Sequence, residues 1–172
     1  PDWKIDPFKL STNRTKMKPT LVLRACLWLA FVSSQASTWA ADAPGKPQQL
    51  PATTLGISFY NIKAELAQTE RQREIGLMHR TAMGANDGMI FVFERAGTQC
   101  FWMKNTLIPL SVAFLDEDGT VVNTDEMAPQ TEDAHCSAKP VRYVLEMNKG
   151  WFSKRGIKAG AKVTGDLFAG KR

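Results

Sequence analysis

The stretch Met89-Ile90-Phe91-Val92-Phe93 decides the fold. This apolar run has the length of a strand and directly follows the turn-forming residues Asn86, Asp87 and Gly88. An uninterrupted apolar run is typical of a strand that is buried on both faces. We therefore predict that residues 89–93 form a central strand of a β-sheet.

Segments on both sides of this run also have the patterns of strands. Residues 62–67 and 141–147 alternate between apolar and other side chains, and a period of two fits a strand with one buried face. Further strands are predicted at residues 101–103, 110–115, 120–123 and 160–167, with a hairpin turn at 116–119.

Short helical segments interrupt these strands. The sequence from Thr69 to Gln72 resembles a capping box, and Ile75 and Met78 lie on one side of the helix that would follow. Residues 150–156 suit a single helical turn. About seven short strands separated by turns indicate a mainly β, single-domain protein, either a β-sandwich or a small barrel, with one or two short helices.

The N-terminal region has the composition of a secretory signal. From Met17, basic residues are followed by the apolar run 25–32 and by small residues before Ala40 and Ala41. Residues 17–40 are therefore predicted to be a signal peptide that is cleaved after Ala40. The apolar run is too short for about 30 Å of hydrocarbon, so we predict a periplasmic or secreted protein that meets the membrane only through this transient segment.

The segments around the predicted signal have different compositions. Residues 1–16 fit no signal pattern and lack an initiating Met, and we interpret them as a mis-assigned upstream start. Residues 41–54 contain the Pro, Gly and Gln residues of a flexible leader. The β-sandwich domain is predicted over residues 55–170.

The net charge of +5 does not indicate a nucleic-acid partner. Six of the 22 Lys and Arg residues, but only two of the 17 Asp and Glu residues, precede Ala25. The remaining chain is nearly neutral, and it has neither a phosphate-binding Gly loop nor a basic face with interleaved aromatic residues.

The cysteine count favours a disulfide. Loss of the signal removes Cys26 and leaves Cys100 and Cys136. In an oxidising compartment such a pair more often forms a structural disulfide than a reactive site. A redox or metal-binding thiol pair is the alternative, but the chain has no C-x-x-C spacing, and only His135 supplies a further ligand nearby.

Four ordered motifs between residues 73 and 150 carry a family resemblance. They read Arg-Glu-Ile-Gly-Leu-Met-His-Arg at 73–80, Gly-Met-Ile-Phe-Val-Phe at 88–93, Phe-Trp-Met-Lys-Asn-Thr-Leu-Ile-Pro-Leu at 101–110 and Leu-Glu-Met-Asn-Lys-Gly at 145–150. Together they resemble the bacterial and archaeal family catalogued as domain of unknown function 192. The resemblance implies a compact β-sandwich similar to jelly rolls, often in secreted proteins, and no known catalytic residues.

The chain departs from the family pattern at one position. The family often has Asp after the Pro-Leu pair, where this chain has Ser111, so no chemistry is assigned to a carboxylate there. The pair of Cys100 and Cys136 looks like a feature of a subset of the family.

The segment from Trp102 to Thr106 concentrates groups that bind ligands. Trp102 offers an aromatic face and Lys104 a cation, while Asn105 and Thr106 offer hydrogen-bond donors and acceptors. In the structural alternative, Trp102 fills the core, Lys104 is solvated, and the two polar residues satisfy the backbone of a turn.

Arg80 and Glu146 are further candidates. Glu146 shares one face of an alternating strand with Arg142 and Val144. A buried Glu needs a partner, and an Arg of the helix region, Arg73 or Arg80, would supply one. Such a pair would be either a structural ion pair or the polar end of a ligand pocket.

The remaining signals point away from metal, cofactor and known catalytic motifs. Six Met residues follow the predicted signal and suit Cu(I), but their spacing does not repeat, and we predict core packing instead. His79 and His135 are predicted to be surface residues. No cofactor site is predicted, and the chain has neither G-x-S-x-G nor H-E-x-x-H.

The functional prediction is therefore an exported small-ligand-binding or accessory module rather than an enzyme. Its partner would be a small molecule or a component of the cell envelope. A carbohydrate-active hydrolase of the envelope is one alternative, because paired carboxylates need no local motif. A structural or partner-binding envelope protein is the other, and an exposed apolar patch without a pocket would favour it.

Overall fold

The computed structural model describes residues 45–169 of the chain. The predicted signal peptide and residues 1–16 lie outside this range. The strands are β1 (Ala52–Ile57), β2 (Tyr60–Ala67), β3 (Asp87–Gly97), β4 (Cys100–Phe101), β5 (Leu110–Leu115), β6 (Val121–Met127), β7 (His135–Cys136), β8 (Val141–Asn148) and β9 (Val163–Thr164). The helices are α1 (Glu70–Ile75) and two short 3₁₀ helices (Ser153–Arg155 and Asp166–Phe168). None of these helices is long and apolar enough to cross a membrane.

Seven strands form one curled sheet in the order β6-β5-β8-β3-β2-β1-β9, and β4 pairs with β7 in a separate two-stranded sheet. All pairings are antiparallel except that of β2 with β3, which α1 connects. At one corner, Val121 at the start of β6 exchanges backbone hydrogen bonds with Gly160 and Ala161, which precede β9. The sheet therefore curls into a half barrel, and the predicted mainly β fold with short helices is confirmed.

The predicted central strand is confirmed. β3 lies in the middle of the sheet order, and Met89, Ile90 and Phe91 are fully buried. β5 has the predicted bounds, and all six of its residues are buried. These strands form where predicted because their apolar runs match a position covered on both faces.

The structure differs from the prediction at the edges of the sheet. β1 begins at Ala52, so residues 52–54 pair with β2 and do not belong to the predicted leader. β4 ends at Phe101, and Met103 is buried in the following loop. The predicted closing strand at 160–167 is shortened to Val163–Thr164. Short pairings of this kind are fixed by tertiary contacts more than by local pattern.

Helix α1 is held by local capping and packs toward β3. The backbone N–H of Gln72 donates to Thr69 Oγ1, and the backbone N–H of Thr69 donates to Gln72 Oε1, which is the predicted capping box. The helix ends at Gly76, which has a φ of 49°. A Cβ at Gly76 would lie 3.3 Å from the ring of Phe91, so with its positive φ this position favours Gly.

The two faces of the sheet bury separate cores. One core contains Ile62, Ile90 and Leu145 and is covered by the segment that includes Trp151 and Phe152. The other contains Met89, Phe91, Phe114 and Val144 and is covered by Leu77 and Met103. Residues of β8 alternate between the two cores, and this alternation places Glu146 on the same face as Val144.

The structure contains the predicted disulfide between Cys100 and Cys136. The two residues lie opposite each other in the β4 and β7 pairing. The crosslink joins positions 36 residues apart, and for a loop of this length the chain-entropy model gives a stabilisation of about 3 to 4 kcal/mol.

Candidate ligand-binding site

Glu146 is buried in the middle of the curled sheet. Its neighbours across the sheet are Met89 on β3 and Val112 on β5, and only 4% of its surface is exposed. Both neighbours are apolar, so the carboxyl loses water without gaining a charged group. Burial raises the pKa of Glu146 to about 8, and at neutral pH the carboxyl is therefore mostly protonated.

The Glu146 carboxyl has no protein partner within residues 45–169. No hydrogen bond or ion pair joins it to another described side chain or backbone group, and burial is the cause that raises its pKa. Buried polar groups in folded proteins are nearly always hydrogen-bonded. The fully enclosed side-chain nitrogen and oxygen atoms without a partner among the described residues are Arg80 Nε and Arg155 Nε, so the unpaired oxygens of Glu146 keep some accessible surface.

Glu146 lines a cavity of about 230 Å³ between the sheet, helix α1 and the loop after β4. Aromatic rings form much of its wall, and they belong to Phe91, Phe93, Phe101 and Trp102. The remaining polar lining comes from Arg73, Glu74, Gln99 and Thr106. An apolar concave site with a few polar groups is the usual form of a small-molecule site, although this one is small.

Arg73 lines the cavity but does not pair with Glu146. Its Nη1 donates to the carbonyl oxygens of Gln68 and Val92. Its guanidinium also lies 5.1 Å from the centre of the Phe93 ring. The Arg73 side chain is thus held by backbone and ring contacts, and the predicted ion pair with Glu146 does not form.

Arg80 lies at a different place. Its Nη2 is 2.7 Å from Glu65 Oε2 and also donates to the carbonyl oxygen of Gln48 at 2.7 Å. Arg80 lines a shallow depression with His79 and Pro47 rather than the Glu146 cavity. The Arg that sequence reasoning offered to Glu146 therefore belongs to a structural ion pair with Glu65.

The predicted segment from Trp102 to Thr106 contributes two residues to the cavity. Trp102 is half exposed at its rim, and Thr106 is buried in its wall. Lys104 is not among the lining residues, and its Nζ lies 3.5 Å from Glu132 and 5.2 Å from the centre of the Trp102 ring.

Asn105 has a structural role in the same segment. It adopts a φ of 57°, and its carbonyl accepts a hydrogen bond from the backbone N–H of His79. The structure therefore brings together Trp102, Thr106 and Glu146 from the predicted set, and leaves Lys104, Asn105 and Arg80 outside the cavity.

Sequence reasoning did not find several lining residues. Glu74 and Gln99 come from α1 and from the link between β3 and β4, and neither belongs to a chemical motif. Phe93 was assigned to the strand core. The only usable signal for Gln99 was its position next to Cys100, because a crosslink fixes its neighbours.

Metal ligands do not cluster in the described part of the chain. No group of three or more His, Cys, Asp or Glu side chains within residues 45–169 is arranged to hold a metal ion. His135 instead forms a close pair with Asp125, with 2.6 Å between Nδ1 and Oδ2, and the His135 ring lowers the pKa of Asp125.

Comparison with known proteins identifies the family. The sequence profile of DUF192, described as an uncharacterized ACR family, matches residues 52–165. The chain belongs to this family. The match covers every strand of the curled sheet and all residues of the Glu146 cavity. Among curated proteins, none matches this DUF192 chain.

Two solved structures share the fold. A protein from Sinorhizobium meliloti 1021, suggested to be a transcription regulator, is 31% identical with a TM-score of 0.68, over 71% of this chain and 99% of that one. A protein of unknown function from Novosphingobium aromaticivorans DSM 12444 is 32% identical with a TM-score of 0.66, over 71% of this chain and 94% of that one. The chain thus shares its fold with these two bacterial proteins.

Proposed function

We propose that this DUF192 protein is an exported module that binds a small ligand in the Glu146 cavity. The observation that carries the proposal is the buried Glu146 carboxyl, which has no partner among residues 45–169 and lines an aromatic cavity. Binding is proposed ahead of turnover because the aromatic wall and a single buried carboxyl form a recognition site.

Energetics support a ligand at this position. Burying a polar group without a hydrogen bond costs about 1 to 3 kcal/mol, and more for a charged group. Replacing Glu146 with an apolar residue would remove this cost, so the carboxyl lowers the stability of the free protein. A ligand that hydrogen-bonds to Glu146 recovers the cost, and the aromatic rings supply apolar contact area.

Export rests on two observations. The sequence from Met17 to Ala40 has the pattern of a secretory signal. The domain also contains the Cys100–Cys136 disulfide, and disulfides persist mainly in oxidising compartments outside the cytosol. A periplasmic or secreted location is therefore part of the proposal.

Native mass spectrometry tests the proposal. Mature protein purified from its native compartment should carry a non-covalent adduct that disappears under denaturing conditions. The Glu146→Gln variant should lose the adduct, whereas Glu94→Gln, which removes an exposed carboxyl of β3, should retain it. An adduct on all three proteins would place the ligand elsewhere, and an adduct-free wild type that also binds no added small molecule would refute the site.

A hydrolase is the second candidate, favoured by one specific observation. A carboxyl with a raised pKa in a cavity is the form that a general acid takes in glycosidases, and a second carboxyl, Glu74, lines the same cavity. Turnover of chromogenic glycosides that is lost in Glu146→Gln and strongly reduced in Glu74→Gln, with both variants folded, would favour hydrolysis over binding. Absence of turnover by the wild type would reject the hydrolase and retain the binding module.

A further inference from the structure

The charges around the cavity restrict the chemistry of its ligand. This inference rests on the proposed binding function and concerns the class of ligand. Two cationic side chains near the cavity already contact other groups of the protein. Arg73 donates to two carbonyl groups, and Lys104 lies beside Glu132. Within residues 45–169, no cation pairs with the buried Glu146 carboxyl, and burial is the cause of its raised pKa.

The aromatic wall also favours a positive charge. The face of an aromatic ring attracts cations through its quadrupole. Two rings of the wall already show this behaviour, since Arg73 lies over Phe93 at 5.1 Å and Lys104 lies over Trp102 at 5.2 Å. Phe91 and Phe101 line the same cavity. An anion there would face the Glu146 carboxyl and these rings, and the one cation of the described lining, Arg73, is held on two carbonyl groups and the Phe93 ring.

A metal cation does not fit this set of donors. Hard cations such as Ca²⁺ take six or more oxygen ligands and Mg²⁺ requires near-octahedral oxygen coordination. The described lining offers the carboxyls of Glu146 and Glu74, the hydroxyl of Thr106 and the amide of Gln99, among mostly apolar groups. A cation with an apolar body matches both the carboxyl and the rings.

We propose that the cavity binds an organic ammonium ion, with its nitrogen at Glu146 and its apolar body against the aromatic wall. The cavity volume of about 230 Å³ limits the ligand to a small molecule or to the end group of a larger one. The buried Thr106 side chain lies in the same wall and offers a second acceptor to an N–H donor.

The proposal implies that binding depends on pH. Burial raises the pKa of Glu146 to about 8, so an ammonium ion must displace a proton below that pH. Arg73 and Glu74 are the other charged residues of the cavity, both from α1, while β3 and β5 face Glu146 with Met89 and Val112. Affinity should therefore rise about tenfold per pH unit up to about pH 8 and then level off.

The experiment compares three probes of nearly equal size: n-butylammonium, n-butanol and butyrate. Each is titrated into ¹⁵N-labelled mature protein and into Glu146→Gln, and amide shifts at Gly76, Phe101 and Thr106 are followed. Like a lysine side chain, n-butylammonium stays protonated throughout this pH range. We expect it to bind about ten- to a hundredfold more tightly than n-butanol, because a charge-assisted hydrogen bond is stronger than a neutral one.

Glu146→Gln should remove this preference without weakening n-butanol, and Glu94→Gln should leave it intact. Equal binding of n-butylammonium and n-butanol, or tighter binding of butyrate, would overturn the ammonium class but leave a ligand cavity. No local shifts with any probe would overturn the cavity as a ligand site as well. If Glu146→Gln fails to fold, the affinity of the wild type for n-butylammonium is measured at several pH values. An affinity that does not depend on pH refutes the proposal.

Discussion

Glu65 and Glu146 are two carboxyls with little exposure and opposite surroundings. Glu65 Oε2, on β2, accepts hydrogen bonds from Arg80 Nη2 at 2.7 Å and from the backbone N–H of Leu50 at 2.8 Å. Glu146, on β8, has no such partner within residues 45–169. Burial alone therefore does not mark a functional carboxyl. The absence of a partner distinguishes Glu146 from Glu65, because buried polar groups in folded proteins are nearly always hydrogen-bonded.

Removing the crosslink beside the Glu146 cavity should have a large effect at every pH. The double variant Cys100→Ser, Cys136→Ser should lose about 3 to 4 kcal/mol of unfolding free energy, measured by urea denaturation, because the unfolded chain is no longer constrained. Reduced wild type should show the same loss. Binding of n-butylammonium should weaken too, since Cys100 lines the cavity. Unchanged stability would show that the disulfide does not restrain this wall.

Breaking the partnered carboxyl should have the next largest effect. Arg80→Met leaves Glu65 with little exposure and without its cation, and should cost about 3 kcal/mol in urea denaturation. Arg71→Met is the matched control, because the pair of Arg71 with Glu74 is exposed and 3.7 Å apart, and it should cost less than about 0.5 kcal/mol. Equal effects of the two variants would contradict a structural role for the Glu65 pair.

The contribution of Glu146, the carboxyl without a partner, to the unfolding free energy should decrease as pH rises. The pKa of Glu146 is raised from 4.5 to about 8 in the folded protein, so between these values the native state keeps a proton that the unfolded chain has lost. The contribution of Glu146 is greatest below pH 4.5 and is lost as pH rises toward about 8. Its slope is about 1.4 kcal/mol per pH unit.

Urea denaturation between pH 5 and pH 8 measures this slope. The Glu146→Gln variant should lose the part of the slope that comes from Glu146, and it should be more stable than wild type at pH 8. Glu94→Gln should keep the wild-type slope. A Glu146→Gln profile parallel to that of wild type would mean that the carboxyl is not shifted and has a partner.

The smallest effect is expected at Lys104, the predicted ligand residue that the structure places outside the cavity. Its pair with Glu132 is exposed, so Lys104→Met should change the unfolding free energy by less than about 0.5 kcal/mol. The affinity for n-butylammonium should change by less than about twofold. A large loss of affinity in this folded variant would show that Lys104 contributes to ligand binding, which contradicts its placement outside the cavity.

The fold was largely predictable from sequence because its central strands are apolar on both faces. Residues 89–93 and 110–115 form buried strands in any arrangement that covers both sides of a sheet. β1 and β7 were not predicted, because β1 has only two buried residues and β7 has only two residues, which pair with β4, 36 residues earlier. The parallel pairing of β2 with β3 is likewise a tertiary feature.

The candidate site was predictable only in part. Alternation along β8 placed Glu146 on the same face as Val144 and offered it an Arg partner if that face lay inward, and that pair does not form. The identity of that partner depends on where α1 and the following loop lie. Arg80 reaches Glu65, while Arg73 reaches the backbone at Gln68 and Val92. Such competition between two cations for two carboxyls is decided by three-dimensional distances, which the sequence does not contain.

The most direct test of the central claim is the titration of the Glu146 side chain itself. The ¹³C shift of its carboxyl carbon, assigned by comparison with Glu146→Gln, reports protonation in the ligand-free mature protein. The account predicts a pKa of about 8 that moves well below this value when n-butylammonium is added. A pKa near 4.5 in the free protein, unchanged by the probe, would show that Glu146 is already satisfied and would contradict the proposed site.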